Sequence, residues 1–204
     1  MKFFTKDKYP SLLRWYPKLL LILLAMIWIL LAIKPVSRSD WALENLLPLI
    51  ALPLLILTYK KFRFSNFSYS LIFLFMTLHF IGAHYTYAKV PVDWTLFGFE
   101  RNMYDRVVHF LNGFLLFYPI REFVSRITKV GRVWSFFLPL GILWAASGAY
   151  EIIEWMASLR VDEVLRDEFL GMQGDMFDST KDMALAFFGA FLAMILTLTS
   201  KRKE

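Results

Sequence analysis

Apolar residues in this chain fall in long unbroken blocks separated by short polar stretches, with little of the one-sided striping that marks a soluble helix. Six blocks approach or reach the roughly 20 residues that a helix needs to cross a bilayer. They span about Lys18–Ile33, Trp41–Tyr59, Tyr69–Tyr87, Tyr104–Val124, Trp134–Ala157 and Asp182–Thr199. The first follows a basic leader, as a signal peptide would. The segment behind it, "AIKPVSRS", places Lys34 and Pro35 where small residues would mark a cleavage site, so the block reads as a retained span. The expected architecture is an all-α, polytopic bundle of about six transmembrane helices in a single multi-pass domain covering 1–204.

Composition agrees. Of 204 residues 58% are hydrophobic, with 21 Phe, 7 Trp and 9 Tyr, more apolar surface than one soluble core of this size can hide. There is no cysteine, which removes disulfides, thiol catalysis and Cys-ligated zinc. The net charge of +6 sits beside the apolar blocks, a membrane-topology pattern and a poor match to nucleic-acid binding. Fifteen Lys and Arg fall on the N-terminus, the turn with Lys60, Lys61 and Arg63, the stretch Arg121–Arg132 and the tail, against eight on the alternate side. Basic loops stay in the cytoplasm, so both termini are expected inside. The loops Lys34–Asp40, Ala88–Met103 and the acidic Ser158–Lys181 then face outward.

That orientation gathers the costly residues. Ionisable side chains within spans are functional hypotheses by default. Here they are His79 and His84 on the third span, Asp105 and His109 on the fourth, Glu151 and Glu154 on the fifth, and Asp182 on the sixth. Spans running outward carry theirs late and spans running inward carry theirs early, so all fall in the outer half. Asp105, His109 and Asn112 share a helix face through i, i+4, i+7 spacing, as do Ser147, Glu151 and Glu154. Asp175, Asp178 and Asp182 would share one if helix extends back that far. His79 and His84 are five apart and cannot both face one cavity, so they read as structural. "STKD", Ser179 to Asp182, fits a capping box, which offers the aspartates a purely structural role.

Carboxylates packed together repel, and a bound cation removes the conflict. Oxygen ligands with one or two imidazoles suit Mg²⁺, Mn²⁺, Ca²⁺ or a catalytic Zn²⁺. Asp105, His109, Glu151, Glu154, Asp175, Asp178 and Asp182 are the candidate ligands. Glu151, Glu154 and His109 are the candidate catalytic groups, with Arg106 and Lys181 on an anionic headgroup. The sequence contains no Gly-rich phosphate loop, nucleophile elbow or HExxH motif.

Three segments carry a resemblance: "YDRVVHFLNGFLLFYPIRE" (Tyr104–Glu122), "YEIIEW" (Tyr150–Trp155) and "GMQGDMFDSTKDMALA" (Gly171–Ala186). They resemble the motifs of the YjdF-type bacterial inner-membrane proteins, a polytopic family of unknown function. Met172 and Phe177 stand where that pattern has Thr and Trp; every carboxylate is kept. The start of the fourth span is more distantly similar to the VanZ-like membrane proteins, which implies a cell-envelope context. These resemblances imply residence in the bacterial cytoplasmic membrane and no particular reaction. Three functions are open: a metal-dependent enzyme on a lipid or lipid-linked envelope substrate, an ion-coupled transporter, or a non-catalytic scaffold whose polar cluster locks the helices.

Overall fold

The computed structural model describes residues 15–159, 173 and 175–200. Among the described residues seven α-helices build five segments able to cross a bilayer and one shorter apolar one, and no strand occurs. They are α1 (Tyr16–Leu31), α2 (Arg38–Glu44), α3 (Leu46–Thr58), α4 (Asn66–His84), α5 (Tyr104–Ile127), α6 (Trp134–Ser158) and α7 (Asp178–Thr199). Five segments are long and apolar enough to cross a bilayer, α2 and α3 together making one of them; α1 is apolar but has only 16 residues. Their outward faces are apolar, as lipid contact requires: Leu30, Leu57, Ile153 and Phe188 are all exposed.

The boundaries depart from the hydropathy reading where local chemistry intervenes. The second span is interrupted at Asn45, a buried residue whose side chain accepts from Trp28 Nε1 (2.6 Å) and donates to the Trp41 carbonyl (2.6 Å). The third begins three residues early because the Ser65 hydroxyl caps it, accepting from Ser68 N at 3.1 Å. It stops at His84, for Thr86 and Tyr87 take left-handed conformations with φ of 54° and 51°. That sharp turn folds Tyr87 back onto Gly82, where a Cβ would lie 2.4 Å from the tyrosine ring. The last helix begins at Asp178. Its N-cap is Phe177 with no side-chain cap, so the expected Ser179–Asp182 capping box does not form.

α5 is the centre of the bundle, packed against α4, α6 and α7. The α5–α7 contact is backbone on backbone. A Cβ on Gly113 would lie 1.8 Å from the Ala186 carbonyl oxygen, and one on Gly189 would lie 2.0 Å from that of Phe110. Gly189 lies in the small-residue stretch "FFGAFLA". Gly148 makes no such contact, with only Met183 Sδ nearby at 3.3 Å. Below this crossing Phe117, Phe136, Leu140, Leu143, Ala190, Ala193 and Met194 fill the interior.

Candidate functional site

Alternating helix direction brings the starts of α2, α5 and α7 to the same end of the bundle as the finishes of α4 and α6. Because α5 and α7 touch through glycines, side chains at their starts are drawn into one small volume. Asp105 and His109 lie one turn apart on α5, and Asp182 lies one turn into α7. Ligand atoms of these three all fall within 4.8 Å of one another. His109 Nε2 is 3.4 Å from Asp105 Oδ1 and 3.8 Å from Glu151 Oε1, so α6 closes a third side.

The group is buried, with Asp182 2% exposed and His109 and Glu151 8% each. Burial there should be matched by hydrogen bonding, since an unsatisfied polar atom away from water costs about 1–3 kcal/mol. It is not matched. His109 Nδ1, Glu151 Oε1, Asp182 Oδ1 and the neighbouring Ser147 Oγ and Asp178 Oδ2 are buried without a hydrogen-bond partner. Atoms of this kind, most of them acceptors with charge to share, fit a divalent cation held by hard oxygen donors and one imidazole.

Glu154 is near this group without being part of the triad; its electrostatic neighbours are Glu44, Glu151, Asp105 and Asp182. Ser179, freed from the capping role, lies within hydrogen-bonding reach of Glu151.

Asp175 and Asp178 are placed differently. Arg101 Nη1 binds Asp178 Oδ1 at 2.8 Å and lies 3.5 Å from Asp175 Oδ2. Arg106 bonds Asp175 Oδ2 and reaches Asp178 Oδ1 at 3.1 Å, while Lys181 Nζ meets Asp175 Oδ2 at 2.6 Å. The structure therefore joins the two expected headgroup residues to two of the expected ligands. Asp175 Oδ1 also accepts from Phe177 N at 3.1 Å, so this carboxylate shapes the entry to α7 from outside the helix. The hydrogen bond from Lys181, helped by Phe177 N and Arg106, holds its pKa well below the usual carboxylate range.

Four participants were missed by sequence reasoning. Glu44 is buried near the start of the second span and accepts from the Tyr150 hydroxyl at 2.6 Å. Its signal was available: an inward-running span should carry its acid early, and Glu44 does. Tyr150 has no assigned role in the sequence until its hydroxyl is seen to meet Glu44. Asp40, buried one turn earlier, shares its neighbourhood. Arg101 lies in a loop without periodicity, where nothing in the sequence marks it. His79 is structural, as expected: Nε2 donates to the Glu44 carbonyl (3.0 Å), leaving Nδ1 to accept from Tyr87 OH (2.6 Å). His84 likewise donates from Nδ1 to the Leu31 carbonyl at 2.7 Å.

Comparisons with known proteins agree with this membrane architecture. Residues 16–203 match the family described as "Predicted membrane protein (DUF2238)". The chain is 36% identical over 176 residues to the inner membrane protein YjdF of Escherichia coli (strain K12), an alignment covering 84% of each chain. No solved structure matches it. The chain thus belongs to the DUF2238 membrane-protein family and is a multi-pass protein of the bacterial inner membrane.

Proposed function

We propose that this protein is a membrane-embedded, metal-dependent hydrolase or transferase acting on a lipid or lipid-linked envelope substrate from the outer leaflet. The observation that carries the reading is the triad Asp105, His109 and Asp182, its last two members buried, with unpartnered atoms and Glu151 beside it. Asp105, His109 and Asp182 hold the cation, and Glu151 offers a fourth donor or takes a proton from the attacking nucleophile. A bound divalent ion there supplies Lewis-acid polarisation and neutralises the charge of the carboxylates. Glu154, an electrostatic neighbour of Glu151, is the second proton acceptor. Orientation follows the basic loops: both termini are cytoplasmic, and the acidic end opens toward the outer leaflet.

Two further readings fit less well. An ion-coupled carrier needs polar groups through both halves of the bundle, whereas the plug around Phe117, Leu140 and Met194 is apolar. A scaffold would use its buried carboxylates as hydrogen-bond locks, and those of Asp182 and Glu151 keep unsatisfied oxygens.

The test is turnover. Purified protein in mixed micelles is offered phospholipids and polyprenyl-linked phosphates with Mn²⁺, Mg²⁺, Ca²⁺ or Zn²⁺, and release of headgroup or phosphate is followed. Activity that needs one of these ions and disappears in His109→Ala is the expected result. Turnover that survives chelation and this substitution contradicts the proposal.

A further inference from the structure

The described residues leave a cavity of about 230 Å³ between α1, α3 and α4. α3 meets the buried cluster of Leu24, Met76 and Phe80 through Ala51 and Leu52. Its next two turns, carrying Ile56 and Tyr59, face the cavity. Leu52, Ile56 and Tyr59 share one side of their helix through i, i+4, i+7 spacing. Leu21 with Leu24 and Ile72 with Phe73 supply the other two walls. Three apolar helix faces are thus turned toward one space.

Polarity is confined to one end of that space. Among the described residues that line it, only Lys18, Tyr59 and Tyr69 carry a polar side-chain group. They stand at the start of α1, the finish of α3 and the start of α4, which helix direction brings to the same end. From Lys18 to Leu24 the wall runs roughly 9 Å, against about 15 Å for the acyl region of one leaflet. The surroundings are strongly basic. Fifteen Lys and Arg lie in the stretches bordering this end of the bundle, and the acids there are Asp7, Glu122 and Glu204. Glu122, the one of these acids among the described residues, is already bound by Ser65, Ser68 and Arg126. Lys18, Lys60 and Lys61 are exposed.

We propose that this cavity is a binding site for an anionic glycerophospholipid of the adjoining leaflet, one acyl chain lying against Leu21, Leu52 and Phe73 and the headgroup phosphate meeting Lys18. An apolar cavity takes apolar ligands in preference to water, and in a bilayer the ligand at hand is an acyl chain. A zwitterionic lipid satisfies the apolar walls equally well. The lysine and the basic end around it favour a headgroup with net negative charge. Tyr59 and Tyr69 suit the same depth, where amphipathic aromatic rings meet headgroups. The site lies at the opposite end of the bundle from Asp105, His109 and Asp182, so its occupancy is independent of the chemistry proposed there.

Binding is read by native mass spectrometry of full-length protein titrated with phosphatidylglycerol or phosphatidylethanolamine of identical acyl chains. One lysine near a membrane surface is worth about fivefold in affinity for an anionic lipid, so phosphatidylglycerol should bind at least that much more tightly. Lys18→Gln should bring it close to phosphatidylethanolamine, and Ile56→Trp, which puts an indole into the cavity, should weaken both. Equal affinity for the two lipids in the parent protein overturns the proposal, as does a preference that survives Lys18→Gln or binding undiminished by Ile56→Trp. Should either variant fail to fold, photocrosslinking on the parent decides. In nanodiscs, phosphatidylglycerol with a mid-chain diazirine should label residues 17–24, 52–59 and 69–73 above the level given by the matching phosphatidylethanolamine. Equal labelling by the two lipids rejects the site. So do labels absent from these segments, as when another part of the chain or a second copy covers the cavity.

Discussion

The two ends of this bundle both bury carboxylates, and they treat them in opposite ways. At the end near the α4 start, Glu122 accepts from Ser65 N (2.8 Å), Ser65 Oγ (2.9 Å), Ser68 Oγ (2.5 Å) and Arg126 Nη1 (2.8 Å). Arg126 also donates to the Arg63 carbonyl and lies over the Phe62 ring. One acid thereby fastens the start of α4 to the finish of α5. At the far end Asp182, Glu151 and His109 are more deeply buried than Glu122 and hold unpartnered atoms. A satisfied carboxylate is a fastening, and the unsatisfied ones are, under the proposed function, ligands for a cation.

The largest effect tests what holds the two ends in register. Gly113→Ala puts a methyl group into the Ala186 backbone. Forcing α5 and α7 apart should cost about 3 kcal/mol or more, read as a fall in Tm in detergent. Gly148→Ala, whose added carbon meets only the movable end of Met183, is the control and should cost far less.

Next comes the fastening itself. Glu122→Ala strands Ser68 Oγ and Ser65 N, so the loss should be about 2 kcal/mol. Little of it belongs to Arg126, whose side chain is 44% exposed. The same kind of neutralisation at the other end should behave differently. In chelated protein Asp182→Asn relieves burial of a charge and repulsion from Asp105, Asp178 and Glu151, which together outweigh the lost attraction to His109, so Tm should hold or rise. A fall as large as that of Glu122→Ala would make both ends fastenings and erase the contrast.

Much of this was legible in the chain. Hydropathy located six segments, and the alternation of direction brought Asp105, His109, Glu151 and Asp182 to one end without any coordinates. Side-chain detail was not legible, because it depends on distances across helices. Nothing along the sequence distinguishes Asp182, which meets α5 through the glycine contact, from Asp175 and Asp178, which meet arginines. Ser179 looked like a cap because capping is a local pattern; the helix starts two residues earlier than that cap would set and leaves Ser179 to Glu151. Tyr150 needed Glu44 to explain it, and the two are 106 residues apart.

The smallest effect concerns pH. The Asp175 carboxylate has a lowered folded pKa, so its contribution is fully present above the unfolded value of about 3.9 and fades only as pH falls toward the folded one. Protection of the Phe177 amide from exchange, corrected for intrinsic rate, should therefore stay flat across neutral and mildly acidic pH. Loss of protection through the histidine range would place a different group in control.

The central claim is that the unsatisfied end holds a cation, and metal content measures it most directly. Protein purified without chelator should carry close to one divalent ion per chain by mass spectrometry. The Glu122→Gln protein should keep that ion, while His109→Ala and Asp182→Asn lose it though folded. Metal-free parent protein that neither takes up Mn²⁺, Zn²⁺, Mg²⁺ or Ca²⁺ nor changes Tm when they are added would contradict the account.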